Sequence, residues 1–275
     1  MIDLVNNNLF TAAGHCLAAA DPDVKLWLTE TTVATWRQGC LLLDPGSGPA
    51  PIGEPGRPAR PPLVHPSRVP QRKLTTPAGR AALLHAVAHI EFNAINLAWD
   101  AVYRFRAMPR DYYDDWTRVA GEEGHHFSLV RERLRALGHD YGDFPAHNGL
   151  WEMAVRTADD PLRRMALVPR LLEARGLDVT PEMIARLEQA GDPASAAILG
   201  VILRDEVGHV AIGSRWFKHL CRQRGLEPET TFRALAEAHT GGPLRGPFND
   251  EARRQAGFSE TELAALHAWA AGRPV

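Results

Sequence analysis

An all-α fold is predicted for this chain of 275 residues. Three observations predict it. No stretch shows sustained period-two alternation, so strands are not expected. Helix-start and helix-stop residues recur along the chain, among them Thr76-Pro77, Asp192-Pro193, Gly138 and Gly225. A Glu-x-x-His pattern preceded by a second acid occurs twice, as Glu122-Glu123-Gly124-His125-His126 and as Asp205-Glu206-Val207-Gly208-His209. On a helix, residues three apart lie on one face about one turn from each other, so such a pair can grip one metal ion.

The elements follow in order. Residues 1–43 read as two helices, the first carrying Leu9, Ala13, Cys16, Leu17 and Ala20 at helical spacing. Asp21-Pro22 separates it from a weaker stretch through Leu26, Trp27, Val33 and Trp36 that reaches Cys40. Residues 44–73 are dense in Pro and Gly and cannot hold a helix. Arg57, Arg60, Arg68, Arg72 and Lys73 stand there against two acids, Asp44 and Glu54. The segment is either an extended surface connector or a basic strap that contacts an anionic substrate or partner. Thr76 as N-cap and Pro77 in the first turn start a helix expected to reach about Arg106. The next runs from about Asp111 to Leu137 and stops at Gly138. Asp159-Asp160-Pro161 caps a third, expected to end near Arg175-Gly176 with a kink at Pro169. Thr180-Pro181 starts a short helix ending at Gly191, and Asp192-Pro193 starts the last long one, to Gly225. One or two short helices are expected after Glu227, around Gly241-Gly242-Pro243.

Spacing joins the two acid–histidine motifs into one architecture. Glu91 lies 32 residues before Glu123, and Glu173 lies 33 before Glu206. Each interval suits an antiparallel helix pair, so 74–225 reads as two similar halves, each a Glu helix followed by a Glu-x-x-His helix. Four inward carboxylates and two imidazoles are the ligand set of a ferritin-like di-metal four-helix bundle. The chain is accordingly expected to be a single domain over 1–275. It would have N-terminal helices in 1–43, a connector at 44–73, the bundle at 74–225 and a C-terminal helical extension at 226–275.

Helical phase selects the ligands. Glu123 and His126 share a face with Trp116, Val119, Ala120, Phe127, Val130 and Leu134. The competing pair, Glu122 and His125, shares its face with Arg118, Leu129 and Arg133, so these two are expected behind the ligands or on the surface. Glu206 and His209 lie with Leu199, Ile202, Leu203, Val210 and Trp216. Glu91 lies with Leu84, Val87, Ala88, Ile95 and Ala98, and Glu173 with Leu162, Met165, Ala166 and Pro169. A buried carboxylate needs a partner, and a metal removes that cost for all four together. Taken singly, each feature has an ordinary explanation: a surface ion pair, or an arginine such as Arg170, Arg175 or Arg204 beside a lone Glu. His85 and His89, off the Glu91 stripe, read as hydrogen-bonded packing residues. Asp205 reads as an orienting partner for a ligating His or as half of a flank salt bridge. Trp99, Trp151 and Trp216 read as core.

Composition narrows the setting. Hydrophobic residues make up 45% and charged residues 23%, ordinary for a globular protein. The net charge of -2 gives no global basic field for nucleic acid. Cys16, Cys40 and Cys221 form no Cys-x-x-Cys pair, so a reduced, cytoplasmic compartment is expected. No apolar run approaches a membrane span, and the early Asp3 without a basic leader argues against a signal peptide.

Four segments, HIEFNAINLAWDAVYRF, GEEGHHFSLVRERLRALGHDYGDFPAH, LEARGLDVTPEMI and LRDEVGHVAIGSRWF, resemble the DUF455 family of ferritin-like proteins. The resemblance spans roughly residues 55–260. It implies kinship with the tRNA hydroxylase MiaE and other ferritin-like di-iron proteins. Motif by motif it also implies metal ligands at Glu91, Glu123, His126, Glu173, Glu206 and His209, the six that helical phase selects.

An oxygen-rich, mixed N/O ligand set suits iron or manganese over a zinc site built on thiolates. Two iron ions are therefore the expected cofactor, with manganese or a mixed Mn/Fe pair as the alternative. The expected function is an oxygen-dependent oxidoreductase, a hydroxylase or oxidase. It would take dioxygen, a small-molecule substrate and, where the reaction requires it, an electron donor. Two other readings stand beside it: an iron-handling protein without an organic substrate, and a tRNA-modifying hydroxylase, against which the overall charge argues mildly. Substrate and oligomeric state are open at this level.

Overall fold

A computed structural model describes residues 7–69, 73–241 and 244–272. Among these the chain is all-helical, with two isolated parallel bridges, Asn8 to Leu42 and Leu63 to Ala146. No described helix is long and apolar enough to cross a membrane. The chain forms two compact units, residues 1–155 and 156–275.

The first unit begins with α1 (Leu9–Ala18) and α2 (Pro22–Arg37). Asn8 and Asp21 cap them by accepting from the first free backbone N–H groups. Two long helices follow, α3 (Pro77–Arg104) and α4 (Arg110–Ala136), packed as an antiparallel hairpin. Thr76 Oγ1 accepts from Gly79 N at 3.0 Å and Pro77 occupies the first turn, as the capping signal predicts. Gly138, at φ +80°, ends the α4 run. A short amphipathic helix, α5 (Gly149–Arg156), follows; its eight residues are not foreseen.

Lys25 joins three helices of this unit. Its Nζ is buried and donates to Cys16 O at 2.6 Å and Leu17 O at 3.3 Å, in the last turn of α1, and to Asn96 Oδ1 of α3 at 2.7 Å. Three donors thus meet three acceptors, and the charge sits at the negative end of a helix. Burial pushes this amine down to about 7.

The Pro/Gly-rich segment is an anchored connector. Val64 N donates to Ala146 O at 2.8 Å, Ala146 N to Pro62 O at 3.1 Å, and Gly56 N to Leu17 O at 2.7 Å. Trp151 Nε1 donates to Gly53 O at 2.7 Å. Gly56 is required: a Cβ there would fall on the backbone of Ala18 and Ala19. Arg57, Arg60, Arg68 and Lys73 point to solvent. Arg72, counted with them in the sequence, lies outside the described residues, as do Gly242 and Pro243.

The second unit begins with α6 (Pro161–Leu167), capped by Asp160. It passes through a π-helical segment, Val168–Glu173, directly into α7 (Ala174–Gln189). Where a kink is expected at Pro169, the structure has a wider π turn that runs on into α7. α8 (Pro193–Arg224) runs back along it and ends at Gly225 in the left-handed region.

The expected stop at Arg175-Gly176 and restart at Thr180-Pro181 is corrected: α7 continues through both, with Pro181 inside it. Pro181 cannot donate to Leu177 O, one turn back. Asn249 Nδ2 donates there instead, at 3.2 Å, and Ala174, Leu177 and Leu187 are buried. The tail also holds more than the one or two helices expected: α9 (Pro228–Thr240), α10 (Asp250–Gln255) and α11 (Glu260–Ala270). Asn249 and Ser259 cap the last two, and Ser259 with Glu262 forms a capping box.

The Pro181–Asn249 compensation makes a quantitative expectation. Asn249→Ser keeps an N-cap oxygen for α10 but loses the donor to Leu177 O, so it should cost about 1 kcal/mol in urea unfolding. In a Pro181→Ala background the helix supplies its own N–H, and the same substitution should cost less than half as much. Equal costs in both backgrounds would refute the assignment.

Candidate metal centre

Helical hairpins place acid beside acid. The residue midway between Glu91 and Glu123 is 107, inside the connection between α3 and α4, so the two carboxylates sit at one level of the hairpin. Both are buried, at 3% and 1% exposure, and so is His126 at 0%. His126 Nδ1 lies 3.3 Å from Glu91 Oε2 and 3.3 Å from Glu123 Oε2. Glu91, Glu123 and His126 each offer one ligand atom, and these atoms lie within 4.8 Å of one another. Glu122 is half-buried and His125 exposed, the distribution that helical phase predicts.

The spacing has a simple reading. One Nδ1 carries at most one proton, and it stands equidistant from two carboxylate oxygens, longer than a good charged hydrogen bond to either. Metal–ligand distances near 2.1 Å put neighbouring ligand atoms about 3.0–3.4 Å apart in octahedral to tetrahedral geometry. Glu91, Glu123 and His126 are thus spaced as donors around a common point and can hold a metal ion.

Without a metal, the imidazole neutralises this site. Burial alone would push His126 down. Hydrogen bonds to Glu123 and Glu91, and their charges, outweigh it and raise it to about 11. An imidazolium stands where a cation is needed.

The second unit carries the other motif. Glu206 and His209 lie on α8, with Nδ1 of His209 3.5 Å from Oε1 of Glu206. His209 is buried at 1% and Glu206 is 13% exposed. Glu173 ends the π segment and is half-buried. Gly213 of α8 faces the Pro169 ring, where a Cβ would overlap it. In an antiparallel pair, four residues on from Pro169 lies level with four residues back from Gly213, so Glu173 is level with His209. The residue midway between Glu173 and His209 is 191, the turn glycine at φ +73° between α7 and α8.

The arginines that offered an ordinary explanation are engaged elsewhere. Arg170 Nη2 pairs with Glu262 at 2.6 Å. Arg175 Nη1 donates to the carbonyls of Arg245 and Pro247 and lies 3.5 Å from Asp178. Arg204 lies 3.4 Å from Asp205, so the flank salt bridge is formed. His85 and His89 are hydrogen-bonded packing residues: His85 Nε2 accepts from Gly142 N at 2.9 Å, and His89 spans Tyr141 Oη and His147 O. Burial pushes both down to about 4. Sequence reasoning missed Glu262 as the partner of Arg170, although its Ser-x-x-Glu capping box was legible.

The chain matches the family model described as "Protein of unknown function (DUF455)" over residues 18–264. It is 51% identical over 213 residues, 75% of this chain and 74% of the other, to a Haemophilus influenzae protein described as uncharacterized. No solved structure matches it. The chain belongs to the DUF455 family.

A protonated His126 has a measurable consequence. Its folded value, about 11, is above the ordinary 6.5, so in the metal-free protein its stabilisation is complete below about pH 6.5 and is lost as pH rises through 11. A divalent ion entering at pH 7 must displace that proton. Calorimetric binding enthalpies should therefore vary with the ionisation enthalpy of the buffer, giving about one proton released or more. A buffer-independent enthalpy would exclude His126 as the displaced cation.

Proposed function

We propose that this DUF455 chain is a ferritin-like di-metal carboxylate protein. In this reading Glu91, Glu123 and His126 supply one half of the centre, and Glu173, Glu206 and His209 the other. All six belong to a four-helix bundle within a single domain. The observation that carries the reading is the trio Glu91, Glu123 and His126, buried and spaced as metal donors. The second Glu-x-x-His supports it, since it repeats the same order on the second hairpin.

The donor set supports one reading of the metal class. Carboxylate and imidazole suit iron or manganese, and thiolate is absent from the six. We assign two iron ions, with manganese or a mixed pair as the variant reading. Such a pair, when bound, supplies the two-electron chemistry of dioxygen. The chain's own residues then have distinct tasks. Glu91 and Glu173 neutralise charge and hold the helices in register. The Glu-x-x-His pairs fix one nitrogen and one oxygen donor a turn apart. The apolar stripes around them exclude water, which strengthens each charge interaction in the site. The function is an oxygen-dependent oxidation of a small molecule, a hydroxylase or oxidase reaction. A hydroxylase reaction takes its two electrons from an external donor, whereas an oxidase reaction takes them from the substrate.

Anaerobic Fe(II) titration tests the reading. Two ions per chain are expected, falling to one or none in Glu206→Ala and His209→Ala. A chain that takes up no iron or manganese overturns it. Dioxygen should then oxidise the bound Fe(II) without accumulating iron beyond two per chain. Accumulation beyond two identifies an iron-handling protein instead. Salt-sensitive retention of tRNA by the wild-type chain would identify the tRNA-modifying reading.

A further inference from the structure

We propose that the buried Arg170–Glu262 pair is a positioning device for Glu173, and so makes α11 part of the metal centre. The inference rests on Glu173 being a ligand.

The starting point is the π segment Val168–Glu173. A π turn holds one residue more than an α turn and persists where its surroundings impose it. Losing that residue would rotate Glu173 by about 100° relative to the helix before it. The direction of the Glu173 carboxylate therefore depends on what holds this turn open.

Two contacts hold it. On one side the Pro169 ring lies against Gly213, where only a residue without a Cβ fits. On the other, Arg170 is held through Nε, Nη2 and the faces of its guanidinium, while Nη1 has no hydrogen-bond partner. Its side chain is 0% exposed. Nη2 donates to Glu262 Oε1 at 2.6 Å and Nε donates to Ser214 Oγ at 3.1 Å. The guanidinium carbon lies 4.9, 4.4 and 4.5 Å from the ring centroids of Phe217, Phe232 and Phe258. Glu262 is itself fixed, accepting from Ser259 N at 2.9 Å in the capping box of α11. The rigid fork of arginine, stacked on rings, sets a direction as well as a charge.

Stability alone does not account for this arrangement. A buried ion pair is commonly no better for stability than apolar residues of the same volume. Its advantage is geometric: the pair is satisfied in one arrangement, with α11, α8 and the π turn all in place. Arg170 stands three residues before Glu173, so a clamp on its guanidinium sets the phase of the carboxylate one turn on.

Co(II) alone is the probe, with stoichiometry from equilibrium dialysis and geometry from visible absorption. Glu173→Ala is the reference: it should weaken one of two Co(II) ions and change the spectrum. Glu262→Gln should give the same spectral change and a 10–100-fold weaker ion, the range for partners that orient metal ligands. Combining Glu262→Gln with Glu173→Ala should add no further loss. Arg170→Met with Glu262→Leu removes both charges and should unfold near the wild-type midpoint, yet bind Co(II) as Glu262→Gln does. Wild-type Co(II) binding in Glu262→Gln and in the double variant, with Glu173→Ala defective, overturns the clamp and leaves the ligand assignment standing. Wild-type binding in Glu173→Ala removes Glu173 from the ligand set, and the clamp's role with it.

Discussion

Two carboxylates cannot be buried against one another unless positive charge lies between them. Glu91 and Glu123 are both almost fully enclosed, and His126 bridges them at equal distance. In the metal-free chain that charge is a proton on the imidazole, held far above its ordinary range. The α3–α4 hairpin can close around its apolar stripe because this demand is met. A divalent ion meets the same demand with more charge and with donors already at coordination spacing.

Hairpin register turns a local motif into a site. A Glu-x-x-His pair offers one oxygen and one nitrogen; the third donor must come from the partner helix at the same level. Connections as short as 105–109 and 190–192 leave no slack, so the intervals of 32 and 33 residues specify which carboxylate faces which motif. Gly213 against Pro169 and the turn at Gly191 agree on one register for the second hairpin.

Much of the remaining structure compensates for breaks in helical regularity. Pro169 opens a π turn that Arg170, Ser214 and Glu262 hold. Pro181 orphans a carbonyl that Asn249 satisfies. The Pro/Gly-rich connector, unable to form a helix, is tied to Leu17 and Ala146 by backbone hydrogen bonds and to the Trp151 indole by one more. The C-terminal helices supply Asn249 and Glu262, so the segment that reads as an appendage in sequence completes the helices before it.

Local chemistry determined a large share of this protein. Side-chain caps at Asn8, Asp21, Thr76, Asp160 and Asp192, and stops at Gly138 and Gly225, are written in adjacent residues, because capping is a contact within one turn. The choice of Glu123 and His126 over Glu122 and His125 follows from helical phase, which is also local. Tertiary structure decided what depends on partners distant in the chain. Pro181 is compatible with a helix only because Asn249, far along the chain, donates to Leu177 O. Lys25 is buried only because Asn96 completes its three acceptors. Arg170, a fair candidate to neutralise Glu173 by proximity, instead pairs with Glu262, 92 residues on. Sequence spacing reports which face a residue occupies, whereas its partner across the core is set by packing.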